Sequence, residues 1–192
     1  MAESSALQNV LRPSRGGEAG AVGLKIAERR DLSIVQVSAI PGVTANRAAV
    51  EAAVGVALPA PNKSAVGRRT ALWVGPGRWF VVEAGRGVLV DELEKAAGGS
   101  LAITDLSHSR TVLRISGAKV RDVIAQGCSV DLHPRAAKAG DCFVTSVARH
   151  SAVLHVVDDA TMDVTVYRSF AQDLAEWLLE AAAPYGYEVV GS

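Results

Sequence analysis

The sequence predicts an α+β fold built from two ferredoxin-like βαββαβ-type halves that share a core. Three observations carry that expectation. The run Ala71 to Glu83 sets two apolar stretches, each with a tryptophan, on either side of Gly75-Pro76-Gly77, the turn chemistry of a hairpin. The order strand, helix, hairpin, helix, strand then occurs twice, with the second pass starting near residue 108. At 192 residues and 49% hydrophobic content, the chain is long and apolar enough to bury a core. Residues 1–23 read as a flexible N-terminal arm, pliable at Gly16, Gly17, Gly20 and Gly23. Residues 24–107 form the first half, and 108–192 a second, expanded half.

The first half opens with Asp31 to Ile40, whose β-branched content predicts a strand that Pro41-Gly42 stops. Thr44 then offers an N-cap for an alanine-rich helix through about Val54, with Gly55 at its end. The tryptophan hairpin spans roughly residues 70–84. A helix from about Val88 places Leu89, Leu93 and Ala96 on one face and stops at Gly98-Gly99. Leu101 to Leu106 closes the half as a strand.

The second half restarts with a strand at Arg110 to Ser116 and a helix carrying Val120, Val123 and Ile124, with Gly127 as its C′ residue. After the His133-Pro134 loop, three antiparallel strands are expected at about Cys142–Ala148, Ala152–Val157 and Met162–Arg168. The last alternates Met162, Val164 and Val166 against Asp163, Thr165 and Tyr167, an apolar and a polar face. Ser169, with Gln172 three residues on, has capping-box spacing for a helix whose buried face is Phe170, Leu174, Trp177, Leu178 and Ala181. Pro184 and Gly186 end that helix, and Tyr187 to Val190 forms the closing strand.

Twenty basic and twenty acidic residues cancel, so no overall field favours nucleic acid or an anionic membrane. A local basic run at Lys63, Arg68 and Arg69 reads as a solvated loop. RNP-type aromatics and a basic sheet face, which an RNA-binding ferredoxin-like module needs, are missing. Cys128 and Cys142 stand apart without a CxxC, which fits free thiols in a reducing cytoplasm. Met1 to Gly23 has no apolar stretch of signal-peptide length, and no transmembrane run is seen, so a cytoplasmic location is expected.

Asp105, Ser107, His108 and Ser109 bring triad-type residues together, but on a strand His108 points away from the other three, so a polar strand end is the reading. Gly85-Arg86-Gly87-Val88-Leu89-Val90, with Asp105 about twenty residues on, approaches a dinucleotide fingerprint; Val90 replaces its third glycine, which leaves a plain strand-to-helix turn. Gly75-Pro76-Gly77 lacks the Gly-Lys-Ser/Thr of a phosphate loop. His108, His133, His150 and His155 have no metal-ligand spacing, and His155, inside an apolar strand, reads as a half-buried imidazole. Trp73, Trp79 and Trp177 read as core, with a protein interface the next reading for any that is exposed. Arg110 and Arg168 keep two readings: strand ends with snorkelling stems, or bidentate contacts to a partner's carboxylate. No catalytic, cofactor-binding or metal-binding residue is assigned.

A series of motifs carries a resemblance over most of the chain from about residue 24. Leu72-Trp-Val-Gly-Pro-Gly-Arg-Trp79 is followed by Asp105-Leu-Ser-His-Ser-Arg110 and Leu113-Arg-Ile-Ser-Gly117. Next come Gly127-Cys-Ser-Val-Asp-Leu132 and Tyr167-Arg-Ser-Phe170, ahead of Leu174 and Trp177. In this order they resemble the gamma-subunit family of heterotetrameric sarcosine oxidases. The resemblance implies a fold like that of the folate-binding aminomethyltransferases. It further implies a complex that demethylates sarcosine oxidatively to glycine, with hydrogen peroxide and formaldehyde or, with tetrahydrofolate, methylenetetrahydrofolate. FAD, covalent FMN, NAD and zinc would sit on the alpha, beta and delta subunits; this chain would bind none and would contact chiefly alpha, in assembly or stability of that large subunit. The competing expectation is a free-standing folate-binding one-carbon transferase domain, for which Asp105 is the acidic candidate. Gln126-Gly127-Cys128 is near the Lys-Gly-Cys motif of folate-binding iron–sulfur maintenance proteins, but the lysine and the following Gly-Gln-Glu are missing.

Overall fold

The computed structural model describes residues 5–17, 21–85 and 87–190; residues 1–4 and 18–20 of the predicted arm, and Arg86, lie outside the described residues. The strands are β1 (Ser14–Gly16), β2 (Leu24–Arg29), β3 (Leu32–Ala39), β4 (Ser64–Val66), β5 (Thr70–Gly75) and β6 (Arg78–Ala84). They continue as β7 (Leu101–Asp105), β8 (Arg110–Ser116), β9 (Cys142–Val147), β10 (His150–Asp158), β11 (Thr161–Tyr167) and β12 (Tyr187–Val189). The helices are α1 (Arg47–Val54), α2 (Leu89–Ala97), α3 (Val120–Ile124) and α4 (Ala171–Ala182), with single 3-10 turns at Arg168–Phe170 and Ala183–Tyr185. The chain divides into two compact units. One holds Asp31–Ser109 and Gly140–Phe143; the other holds the described parts of Met1–Arg30, Arg110–Ala139 and Val144–Ser192.

The first unit carries a five-stranded sheet in the order β4-β5-β6-β3-β7, with each pairing antiparallel. Taken as β3-α1-β5-β6-α2-β7, its strands lie fourth, first, third, second, the split βαβ arrangement expected from the sequence. Its core gathers Val35, Val37, Trp79, Val81, Leu89 and Leu93 among others. Helix α1 is capped by Asn46, whose side chain accepts from the Ala49 N–H, and not by Thr44. Gly55 and Gly98 end α1 and α2 in the left-handed conformation, as their sequence positions predict. Ala97 rather than Ala96 completes the buried stripe of α2.

The second unit carries a seven-stranded sheet in the order β1-β12-β2-β8-β11-β10-β9. Taken as β8-α3-β10-β11-α4-β12 it repeats the first unit's plan, with β9 outside β10 as β4 lies outside β5. Two strands depart from it: β1 lies outside β12, and β2 lies between β12 and β8, parallel to the former and antiparallel to the latter. Neither β2 nor β4 stood out in the sequence. In β2 only Leu24 and Ile26, flanking exposed Lys25, carry the two-residue period, too short a run to read. From the glycine-rich N-terminal stretch, Ser14–Gly16 pairs with β12, and Leu7 is buried.

Two local expectations in this unit are corrected. Helix α3 closes at Ala125 in a right-handed conformation, and Gly127 is not left-handed. Its missing side chain matters instead for closeness: a Cβ there would meet the Trp177 ring at 2.5 Å. Ser169 caps nothing in α4; a 3-10 turn intervenes, Phe170 occupies the N-cap position without a side-chain hydrogen bond, and Gln172 donates to Glu176. Phe170 is accordingly exposed and Trp177 half-buried, while Ala171 and Ala175 join Leu174, Leu178 and Ala181 on the buried face. Strand β11 is buried from Met162 through Val166, polar face included.

Candidate functional site

Residues with triad-like identities are used locally. The Ser107 hydroxyl donates to Asp105 Oδ1 at 2.5 Å and accepts from the Ile34 N–H at 3.0 Å, so it closes the turn after β7. Asp105 Oδ1 also accepts the Ser107 N–H, and both Asp105 and His108 are exposed. This is an Asx-type turn and not an activated nucleophile. Of the fingerprint-like run, Gly85 accepts from the Ser33 hydroxyl through its carbonyl, and Arg86 lies outside the described residues. Cys142 is buried, its thiol pushed up to about 12 by burial and then by Asp141, which leaves no thiolate near neutrality. Among the described residues, no three His, Cys, Asp or Glu side chains are placed to share a metal ion.

The basic run departs from its sequence reading. Lys63 pairs with Asp141, and the Arg69 side chain is 0% exposed. Its guanidinium donates to Glu83 at 3.1 Å, to Glu92 at 2.5 Å and to the Ala53 carbonyl at 2.6 Å. Burial works against the charge, but hydrogen bonds to Glu92 and Glu83 outweigh it and hold Arg69 above its ordinary pKa. Glu92 in turn is held below the usual carboxylate range by its bond from Arg69.

In the same unit, the tryptophan hairpin lines a cavity of about 580 Å³. Leu58, Pro59, Pro61, Trp73 and Trp79 give it an apolar wall, and Arg47 is its one charged lining residue. Trp79 is buried, as expected for a core residue, and its indole N–H donates to the Pro59 carbonyl at 2.9 Å. The Arg47 guanidinium lies 4.9 Å from the Trp79 ring centre while donating to Glu51 and the Leu58 carbonyl. Trp73 is half-buried.

In the second unit, register assembles a polar row that no single segment displays. Arg114 of β8 lies opposite Asp163 of β11, which lies opposite His155 of β10. Arg114 clamps Asp163 bidentately at 2.7 and 2.8 Å, and Arg29 of β2 adds a bond at 2.9 Å. The carboxylate is thereby fully engaged as a buried counterion, which disqualifies it as a general base. Its hydrogen bond raises the Arg114 pKa against burial. Burial lowers the His155 pKa; Asp163 opposes that shift, and Arg114 and Arg29 reinforce it. His155 is thus more deeply buried than the half-buried imidazole expected. Arg110 and Arg114 share a strand face, so the signal for this row was a second arginine four residues on, in phase with the strand period; its acidic partner required the register.

A second row runs over the surface of the same unit. The Arg110 guanidinium sits 3.6 Å from the Tyr167 ring centre, and Tyr167 meets Phe170 edge-on at 6.3 Å. Phe170 stacks on His150 at 4.8 Å, and His150 pairs with Asp173. Asp173 also borders a groove of about 340 Å³ lined by Gly127, Arg149, Glu176, Trp177 and Glu180.

Residues 39–184 match the model of a family described as sarcosine oxidase, gamma subunit family. The chain is 31% identical over 181 residues to a sarcosine oxidase subunit gamma of Arthrobacter sp, covering 92% of this chain and 88% of that protein. It is 30% identical over 151 residues to the subunit gamma of Corynebacterium sp. strain U-96, covering 77% and 73%. Among solved structures, it is similar to a chain of the heterotetrameric sarcosine oxidase from Corynebacterium sp. U-96 in complex with pyrrole 2-carboxylate. That match has a TM-score of 0.81, 29% identity and 87% of each chain covered. The glycine cleavage system aminomethyltransferase T from Bartonella henselae matches at TM-score 0.61 and 17% identity, covering 82% of this chain and 46% of that one, a likeness of fold alone. The two-unit α+β plan expected from the sequence is therefore the plan of a known fold.

Proposed function

The chain belongs to the sarcosine oxidase gamma subunit family, and from that membership we propose that it is a non-catalytic subunit of a heterotetrameric sarcosine oxidase. Its role is to promote assembly or stability of the large subunit. One observation carries the reading: the likeness to a chain of such a heterotetramer covers 87% of both polypeptides. The complex converts sarcosine, oxygen and water to glycine, formaldehyde and hydrogen peroxide, or delivers the one-carbon unit to tetrahydrofolate. FAD, FMN, NAD, tetrahydrofolate and zinc belong to the other subunits. Alpha is the chief contact, beta and delta complete the assembly, and its place is the cytoplasm.

The side chains support a structural role. Ser107, Asp105 and Asp163 are tied into turns and ion pairs, and the buried Cys142 thiol is held protonated. Co-expression with the partner subunits tests the reading. The expected result is a stoichiometric complex whose colour stays with the partners and a colourless chain when purified alone. Stoichiometric flavin on the isolated chain, or no complex, would remove it. A free-standing one-carbon transferase finds less support, because Asp105 closes a turn and does not line the tryptophan cavity. Calorimetry with tetrahydrofolate separates the two: tight binding by the isolated chain would favour the transferase.

A further inference from the structure

Tyr167 and Phe170, 47% and 41% exposed, are the two aromatic side chains among the exposed large hydrophobics of the described residues. Both are held at each end: Tyr167 carries the Arg110 guanidinium, and Phe170 stacks on His150, which is anchored by Asp173. An exposed aromatic ring ordinarily samples several rotamers, and ordering it on association opposes binding. Here that ordering is built in before any partner arrives. Tyrosine and arginine are also the residue types that dominate binding energy at protein interfaces.

The groove beside Asp173 continues the same surface. Its wall includes Ala148 and Arg149, both non-glycine residues with positive φ, 49° and 70°. The two-residue turn between β9 and β10 therefore has the geometry that Asn-Gly adopts freely and that Ala-Arg adopts under strain. Such strain persists where a site needs it. Trp177, Glu176 and Glu180 also line the groove. The surface thus changes character along its length, from guanidinium at Arg110 through apolar rings to an aromatic and acidic groove.

Resting on the gamma-subunit reading, we propose that the row Arg110, Tyr167, Phe170, His150 and Asp173, with the Trp177 groove, is the surface on which the large flavin-bearing subunit docks. The occupant is a segment presenting, in order, a carboxylate to Arg110, an apolar side chain over Tyr167 and Phe170, and a lysine or arginine to Trp177 and Glu180. Guanidinium–carboxylate pairing and cation–π contact supply the ends, and the rings supply the desolvated centre.

Affinity of the full chain for the purified partner subunits tests this, comparing wild type with Tyr167→Ser/Phe170→Ser, Arg110→Glu and Val66→Ser. Val66, 68% exposed on the other unit, is the control. The double variant is expected to bind at least ~10-fold more weakly with an unchanged melting temperature, since two exposed anchors are removed. Arg110→Glu weakens binding at low salt more than at high salt, and Val66→Ser binds like wild type. Equal affinity of wild type and the double variant would overturn the docking surface and leave the gamma-subunit reading standing. No binding by wild type would overturn both. A wild-type homodimer abolished by the double variant would reassign the surface to a second copy and overturn the proposal.

Discussion

Asp163 and Arg69 are inverse solutions to one problem, a charge inside a sheet unit. In the seven-stranded unit a buried carboxylate is held by two guanidiniums whose side chains are 31% and 38% exposed. In the five-stranded unit a fully buried guanidinium is held by two carboxylates, 22% and 40% exposed. The anion sits mid-strand on β11, with both strand neighbours contributing to its row. The cation sits just before β5 and reaches across to α1, β6 and α2. The first cluster is fixed by sheet register, the second by a long, adaptable stem, so loss of the central charge has different consequences.

Asp163→Ala should lower unfolding free energy by about 3 kcal/mol, because it leaves Arg29, Arg114 and His155 facing one another around a desolvated site. Arg69→Met should lower it by only about 1 kcal/mol, since methionine retains most of the apolar stem and the two stranded glutamates reach water. Urea denaturation of both variants checks the order. An Arg69→Met loss as large as that of Asp163→Ala would break the contrast.

The helix ends of the two units differ in the same way. Gly98 closes α2 at φ 54° with nothing within 4 Å of where a Cβ would stand, so only backbone conformation requires glycine. Gly127 follows α3 with ordinary backbone and an indole ring 2.5 Å from the added carbon. Gly127→Ala should therefore cost about 2 kcal/mol through overpacking. Gly98→Ala should cost about 1 kcal/mol through the left-handed backbone. Adding Trp177→Leu should recover much of the Gly127→Ala loss and none of the Gly98→Ala loss; thermal melts of the single and double variants measure this coupling.

These pairs show where the sequence was legible. Hairpin and helix stops could be read because they depend on local chemistry: Gly75-Pro76-Gly77 reverses the chain, and Gly55 and Gly98 end helices wherever the fold places them. The alternation of β11 could be read, but not the burial of its polar stripe, because alternation reports two faces without saying whether the second is covered. Arg69 read as solvated because a cation's burial depends on acids 14 and 23 residues away. The surface row had a partial signal: Arg110 was singled out with two readings, but Phe170 was placed on the buried face of α4. The unforeseen 3-10 turn at Arg168–Phe170 rotates that ring outward.

The smallest effect expected is a difference in the pH ranges over which the two clusters weaken. His155 has a folded pKa lowered from 6.5, chiefly by burial, so the unfolded chain binds the proton more readily. Its contribution to stability is complete above the unfolded value and is lost as pH falls below 6.5 toward the folded one. Glu92 has a folded pKa lowered from 4.5, first by the bond from Arg69, so its contribution persists through that range and fades only in stronger acid. Arg69 and Arg114, both raised above their ordinary values, stay charged throughout and add no slope. Stability measured by urea titration between pH 7 and pH 3 should therefore fall in two stages. His155→Gln should flatten the upper stage alone and Glu92→Gln the lower stage alone. A His155→Gln profile parallel to wild type between pH 7 and pH 5 would mean that the buried imidazole is not the group that senses acid in the seven-stranded unit.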